Sequence, residues 1–95
     1  MINNYDGSNF KDLIKERVLV DFYADWCGPC KMLGPVLSKV SDSIKVLKVN
    51  VDSNQDLARE YGVMSIPCVV LFEDGKEVKR SVGFVPEAKL REFIK

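Results

Sequence analysis

The fold of this chain is decided by one segment, Val18-Leu19-Val20-Asp21-Phe22-Tyr23-Ala24-Asp25-Trp26-Cys27-Gly28-Pro29-Cys30. Residues 18–23 are almost all apolar and rich in β-formers, which is typical of a strand covered on both faces. A helix is predicted to follow from Cys27 to about Ser41, so the strand delivers a thiol to a helix start. Two thiols spaced by two residues can close a small disulfide ring and reopen it without larger unfolding. The segment therefore predicts a redox site at a strand–helix junction.

Helices are predicted at four places along the chain. The first runs from a Ser8 cap to about Glu16, and the third from Ser53 or Asn54 to Tyr61. The last begins at Pro86. The second, which starts at Cys27, contains Pro35, and its predicted inward-facing residues are Met32, Val36, Leu37 and Val40.

Strands are predicted between these helices. Beyond residues 18–23 they lie at 44–51, 68–72 and 77–82, with a hairpin turn at Asp74-Gly75 and a short edge strand at 2–5. Alternation of strands and helices implies right-handed crossovers and helices on both faces of a sheet. We therefore expect an α/β fold with a central mixed sheet of four to five strands. Binding sites in such sheets gather at the carboxyl ends of strands, where the two thiols lie.

The composition limits the possible functions. A length of 95 residues fits one domain, residues 1–95. Lys and Arg number fourteen, as do Asp and Glu, and a formal charge of zero argues against binding to nucleic acid or an anionic membrane. Residues 1–6 have neither a basic nor an apolar signal region, so a cytoplasmic location is expected. A mature form that had lost a targeting segment would look the same.

The absence of His narrows the chemistry further. No Cys–His dyad, imidazole base or imidazole metal ligand can form in this chain. A zinc site built on Cys27 and Cys30 would need four ligands, and only Cys68 remains among Cys and His, so no metal site is expected. Haem attachment is excluded because Lys31 stands where a His would be needed. No bound cofactor is expected beyond a redox-active Cys27–Cys30 disulfide.

The two thiols have different predicted roles. Cys27, at the helix start, meets free backbone N–H groups and the positive end of the helix dipole, both of which favour a thiolate nucleophile. Cys30, one turn further on, is expected to be less exposed and to act as the resolving thiol that attacks the mixed disulfide. Pro29 suits the first helical turn because it needs no hydrogen-bond partner for its nitrogen.

Asp21 is a carboxylate inside a predicted buried strand. Burial without partners raises the pKa of a carboxyl group, which would make Asp21 a proton acceptor and donor for Cys30. A strand-end Asp that is hydrated or hydrogen-bonded is the alternative, and the absence of any His favours the catalytic role. Lys48 on the next strand either modulates Asp21 or is a solvated lysine at a strand end.

Residues 20–32 closely resemble the active-site segment of the thioredoxin family. Further matches, which extend the resemblance over nearly the whole chain, are Tyr61-Gly62-Val63-Met64-Ser65-Ile66-Pro67, Asp74-Gly75-Lys76 and Val82-Gly83-Phe84. The resemblance implies a thioredoxin-fold protein disulfide reductase that donates electrons to disulfide-containing proteins and is recharged by a flavoprotein, a thioredoxin reductase. It also implies that Ile66-Pro67 is a cis peptide facing the thiols, with the Ile66 backbone pairing to an extended substrate. A monomer is expected.

The resemblance also implies an apolar docking surface around Cys27. Its members would be Trp26, Gly62, Val63, Ile66, Gly83 and Phe84, although each also has a plain packing or backbone role. Tyr23, Ser65 and Cys68 stand where many relatives have Trp, Gly and Thr. Cys68 is either a small buried strand residue or a third, regulatory thiol near the active pair.

Two other functions remain open at this point. An oxidase or isomerase of the same fold would use the same two thiols, although Gly28-Pro29 resembles the reducing branch. A non-catalytic binding module would keep its function without Cys27 and Cys30.

Overall fold

The computed structural model describes residues 1–95 and contains five strands and four helices. In chain order these elements are β1 (Ile2–Asn4), α1 (Phe10–Leu13), β2 (Val18–Tyr23), α2 (Gly28–Val40), β3 (Lys45–Asn50), α3 (Gln55–Glu60), β4 (Cys68–Glu73), β5 (Lys76–Val82) and α4 (Glu87–Phe93). No helix is both long enough and apolar enough to cross a bilayer.

All five strands belong to one sheet with the order β1-β3-β2-β4-β5. β2 lies at the centre, parallel to β3 and antiparallel to β4. β1 extends the sheet parallel to β3, and β5 pairs antiparallel with β4 through the Asp74-Gly75 turn. Both turn residues have positive φ angles, 54° and 81°, as a tight hairpin requires. The predicted mixed sheet is confirmed, including the short edge strand at the N-terminus.

Two apolar cores cover the two faces of the sheet. Alternate residues of β2, including Val20 and Phe22, pack with α1 and α3 on one face. Leu19, from the intervening positions, packs with α2 and α4 on the other face. Because successive strand side chains point to opposite faces, a strand covered on both sides is apolar at nearly every position, and Asp21 is the exception in β2. This arrangement confirms the prediction of helices on both faces.

The first helix begins later and ends earlier than predicted. Its cap is Asn9, whose side chain accepts a hydrogen bond from Lys11 N at 3.1 Å, and α1 ends at Leu13. Ser8 instead donates its backbone N–H to Asp6 Oδ1 at 3.0 Å, which places it in a turn before the helix. The predicted Ser8 cap is therefore wrong. Asn9, the next polar residue, caps the helix, while Ser8 is held in the preceding turn by Asp6.

The inward face of α2 also differs by one residue from the prediction. Met32 is 61% exposed, whereas Leu33 is fully buried together with Leu37 and Val40. Leu33 lies four residues before Leu37 and so shares its face, while Met32 is rotated away by a further 100° or so. Val36 is partly buried at the edge of the same core.

Candidate active site

The two thiols lie at the carboxyl end of the central strand, as the alternation of elements predicted. Cys27 is the N-cap of α2 and has extended backbone angles, φ −89° and ψ 111°. Its Sγ accepts a hydrogen bond from Cys30 N at 3.2 Å. Cys27 and Cys30 form a disulfide, and their Cα atoms are 5.2 Å apart. The pair is therefore within bonding reach across a single helical turn.

The start of α2 supplies a positive field at Cys27. The first turn of this 13-residue helix contains no acidic residue, and Pro29 occupies one of its first two positions. Unpaired N–H groups and the helix dipole stabilise negative charge at such a position. Cys27 and Cys30 are 5% and 4% exposed, so the expected difference in exposure is absent in the disulfide form. The two cysteines differ instead in their position on the helix: Cys27 is the N-cap of α2, and Cys30 lies within its first turn.

The Ile66-Pro67 peptide bond is cis, as predicted. Ile66 O lies 3.8 Å from Cys27 Sγ, and the Ile66 side chain packs with both cysteines. Gly83 N donates to Pro67 O at 2.8 Å and ties the segment after β5 to this loop. A backbone carbonyl is therefore held close to the Cys27 sulfur.

Asp21 is the only charged side chain among the buried residues, with no exposed surface. Neither of its carboxyl oxygens has a hydrogen-bond partner. Burial raises the pKa of Asp21 to about 6, although the charge of Lys48 acts in the opposite direction. Asp21 therefore lies inside β2, rather than at its end, and accepts no hydrogen bond from another residue of the chain.

Lys48 is the register partner of Asp21 on β3. Its Nζ lies 4.6 Å from the centre of the Tyr23 ring, above the ring face. A cavity of about 240 Å³ opens here, lined among others by Tyr23, Cys30 and Lys48. Lys48 is thus a partly buried residue that is the register partner of Asp21 and lines the same cavity as Cys30.

Trp26 has a partner that the sequence reasoning missed. Its side chain is 70% exposed, and Nε1 donates to Asp52 Oδ2 at 2.9 Å. Asp52 is held in turn because its backbone N–H donates to Asn50 Oδ1 at 2.8 Å. The sequence offered one indication of this contact. Asp52 directly follows β3, and the carboxyl ends of β2 and β3 meet at the same edge of the sheet.

The predicted docking surface contains both exposed and structural members. Phe84 is 40% exposed, whereas Val63 packs against the core on the α1/α3 face and Ile66 is partly buried. Gly62 and Gly83 have φ angles of +65° and +94° and open space at their Cβ positions, so they serve backbone conformation. Met64, which sequence reasoning left out, is 95% exposed in the same loop.

Cys68 belongs to a different apolar core from Cys27 and Cys30. It is 1% exposed and belongs to the core that contains Phe22 and Phe72, whereas Cys27 and Cys30 pack with Ala24. Burial raises the pKa of the Cys68 thiol and so disfavours the reactive thiolate. These observations favour a small buried strand residue. No group of three Cys, Asp or Glu side chains that could hold a metal ion is present.

The chain matches the family model described as thioredoxin over residues 2–95. Among curated proteins, it is 49% identical over 81 residues to a thioredoxin of Bacillus subtilis, covering 81% of this chain and 78% of that protein. It is 42% identical to a thioredoxin of Rickettsia prowazekii, covering 99% of this chain and 96% of that protein. Both alignments span most of this chain and most of the relative.

The fold comparison agrees with the sequence comparison. A mutant thioredoxin from Halobacterium salinarum superposes with a TM-score of 0.91 and 42% identity, covering 98% of this chain and 87% of the other. The chain belongs to the thioredoxin family and is a protein-disulfide oxidoreductase that works by dithiol–disulfide exchange.

Proposed function

We propose that this protein acts as a reductase of disulfides in other proteins, with Cys27 as nucleophile and Cys30 as resolving thiol. The Cys27 thiolate attacks one sulfur of a substrate disulfide, forms a mixed disulfide and releases the other sulfur as a thiolate, which takes up a proton. The Cys30 thiolate then attacks Cys27 Sγ. The second substrate sulfur leaves as a thiolate and takes up a proton. Cys27 and Cys30 are left joined in a disulfide, so two electrons have passed from the protein to the substrate.

The observation that carries this proposal is the position of Cys27 Sγ at the cap of α2. There it accepts the Cys30 N–H at 3.2 Å, with no acidic side chain in the first helical turn. A hydrogen bond donated to sulfur and the helix dipole both stabilise the anion. The same contacts stabilise the Cys27 sulfur when it leaves as a thiolate during recharging.

Asp21 is proposed as the proton acceptor and donor for Cys30. The resolving step requires a proton to leave Cys30, and the chain contains no His. Because burial brings the pKa of Asp21 to about 6, this carboxylate can take a proton near neutral pH and return it. Lys48, its register partner, supports the ionised form.

Substrate binding is proposed for the apolar surface around Cys27. The exposed rings of Trp26 and Phe84 offer apolar contact, supported by the backbone at Gly62, Val63 and Gly83. The Ile66 carbonyl beside Cys27 Sγ, preceding cis Pro67, suits main-chain pairing to an extended substrate segment. The partners are then disulfide-containing proteins and a flavoprotein reductase.

The remaining proposals concern the state of the protein. Residues 1–95 act as one domain, and the protein is a monomer in the cytoplasm. A redox-active disulfide is its only redox group, with no bound cofactor. Size-exclusion chromatography with light scattering measures the oligomeric state, and a mass of two chains would contradict the monomer.

The central test is insulin reduction by dithiothreitol, with Cys27→Ser, Cys30→Ser and the buried Cys68→Ser as matched variants. The parent and Cys68→Ser accelerate reduction, Cys27→Ser is inactive, and Cys30→Ser forms a persistent mixed disulfide with substrate. No acceleration by the parent would refute the reductase. A binding module would keep its partner function in both active-site variants.

The reduction potential separates a reductase from an oxidase or isomerase. Equilibration of the Cys27–Cys30 pair with glutathione measures it directly. A reductase of this fold has a reduction potential of about −270 mV, an isomerase one of about −180 mV and a strong oxidant one of about −120 mV. A reduction potential close to that of the isomerase or the oxidant would contradict the reducing role.

A further inference from the structure

The arrangement of Lys48 beside Asp21 has an unusual feature. The two residues are register partners on adjacent parallel strands, so their side chains extend to the same face of the sheet. Yet both Asp21 oxygens are without a hydrogen-bond partner. The Lys48 ammonium lies instead over the Tyr23 ring, 4.6 Å from its centre.

Tyr23 is placed to compete for this ammonium. It follows Asp21 by two positions on β2 and therefore lies on the same face. An ammonium over an aromatic face is attracted by the negative face of the ring, and the attraction is stronger where water is excluded. Lys48 is partly buried, and both residues line the cavity beside Cys30. The ring therefore offers Lys48 an alternative to pairing with Asp21.

We propose that Tyr23 is a positioning residue whose ring holds the Lys48 ammonium away from Asp21, so that the carboxyl group remains available for proton exchange with Cys30. This inference rests on the proposed function for the role of Asp21. Its geometric content, which is the competition between the ring and the carboxylate for one ammonium, can be tested separately. A direct ion pair would favour the ionised carboxylate and make protonation of Asp21 harder.

The charged and titratable groups that line the cavity beside Tyr23 come from β3, α2 and the loop after β2. They are Lys48 of β3, Cys30 and Lys31 of α2, and Asp25 of the loop, whereas the register partner of Asp21 on β4 is the apolar Val69. Among them, Lys48 is the group whose charge acts on the pKa of Asp21. The position of its ammonium therefore decides how strongly the ionised carboxylate is stabilised.

The experiment follows the titration of the Asp21 carboxyl carbon by NMR in the disulfide form, in Tyr23→Phe and Tyr23→Leu. Tyr23→Phe keeps the ring face, so its midpoint should equal that of the parent. In Tyr23→Leu the freed ammonium moves toward Asp21, and the midpoint should fall by at least about half a pH unit, since an opposite charge within ~4–6 Å lowers a carboxyl pKa by about 1–3 units. An unchanged midpoint in Tyr23→Leu, or equal falls in both variants, overturns the proposal.

A second pair of variants distinguishes an effect of the Lys48 charge from an effect of water entering the site. Loss of the ring could also admit water, which would lower the pKa of Asp21 without any help from Lys48. The same Tyr23→Leu change is therefore made in Lys48→Met, where we expect no fall in the midpoint. An equal fall in both backgrounds would assign the effect to water and overturn the positioning role. Tyr23→Trp, which keeps an aromatic face, should titrate like the parent.

The proposed function and this inference can fail independently. If Asp21→Asn leaves the pH profile of insulin reduction unchanged, Asp21 is not the acid and base, but the titrations still test whether Tyr23 positions Lys48. If Asp21→Asn alters the profile while Tyr23→Leu leaves the midpoint unchanged, only the positioning role is refuted. Thermal unfolding of each variant confirms that the titrations report on folded protein.

Discussion

Replacing Asp21 by Asn should stabilise the protein at neutral pH and have little such effect in acid. Asp21 is fully buried without a hydrogen-bond partner, and its pKa is raised from the ordinary 3.8 to about 6. Between these two values the folded protein holds a proton that the unfolded chain has released. Stability therefore falls as the pH rises through this window and becomes level above the folded pKa.

The size of the effect follows from the same difference in pKa. Each unit of difference corresponds to about 1.4 kcal/mol, so ionising Asp21 costs the folded state about 3 kcal/mol at pH 7. Asn is neutral at every pH and has nearly the same shape. The free energy of unfolding of Asp21→Asn, minus that of the parent, should thus increase by about 3 kcal/mol from about pH 3 to about pH 7.5.

Guanidinium unfolding of the disulfide forms across this pH range measures that difference. Asp25→Asn, which removes the same charge from an exposed position nearby, is the matched control and should lack the large increase. Other titrating groups contribute equally to parent and variant and cancel. A difference that stays constant with pH would refute the raised pKa of Asp21, and one that decreases would reverse its direction.

Three further substitutions test the framework of the site. Leu37→Ala empties a fully buried position in α2 and should lower the free energy of unfolding by about 3 kcal/mol, measured in guanidinium; a loss below about 1 kcal/mol would contradict tight packing there. Gly83→Ala meets open space but a φ of +94°, so it should cost about 1 kcal/mol through conformation alone, and a neutral result would show that the backbone relaxes. Asp52→Ala frees the Trp26 ring, which should alter its fluorescence and raise KM for insulin with little loss of stability, whereas Asp52→Asn keeps an acceptor and should behave like the parent.

Much of the fold was predictable because its signals are local or periodic. The apolar run at 18–23 predicted the central strand with the bounds that the structure shows. Asp74-Gly75 predicted the hairpin because a tight turn needs positive φ at both residues. The boundaries of α1 were harder, since the cap depends on which of several polar side chains near residues 6–9 reaches the first free N–H groups.

Some features of the candidate site were also predictable from the sequence, and others were not. The spacing of Cys27 and Cys30 and the position of Asp21 in an apolar strand are visible in the sequence. The contact between Trp26 and Asp52 is not, because it joins loops that follow different strands. Only packing shows that Met64 is exposed, or that Cys68 lies in a separate core from the active pair.

Residue spacing, apolar patterning and helix-terminal chemistry are enough to predict the redox pair and the strand and helix around it, because each of these signals is contained in a short stretch of chain. The partners of Asp21 could not be predicted in this way. Its unpartnered oxygens and the position of the Lys48 ammonium over Tyr23 depend on the packing and register of β2 and β3. Desolvation and charge–charge distances arise only when segments distant in the chain are packed together, so no local pattern encodes the pKa of this carboxyl group.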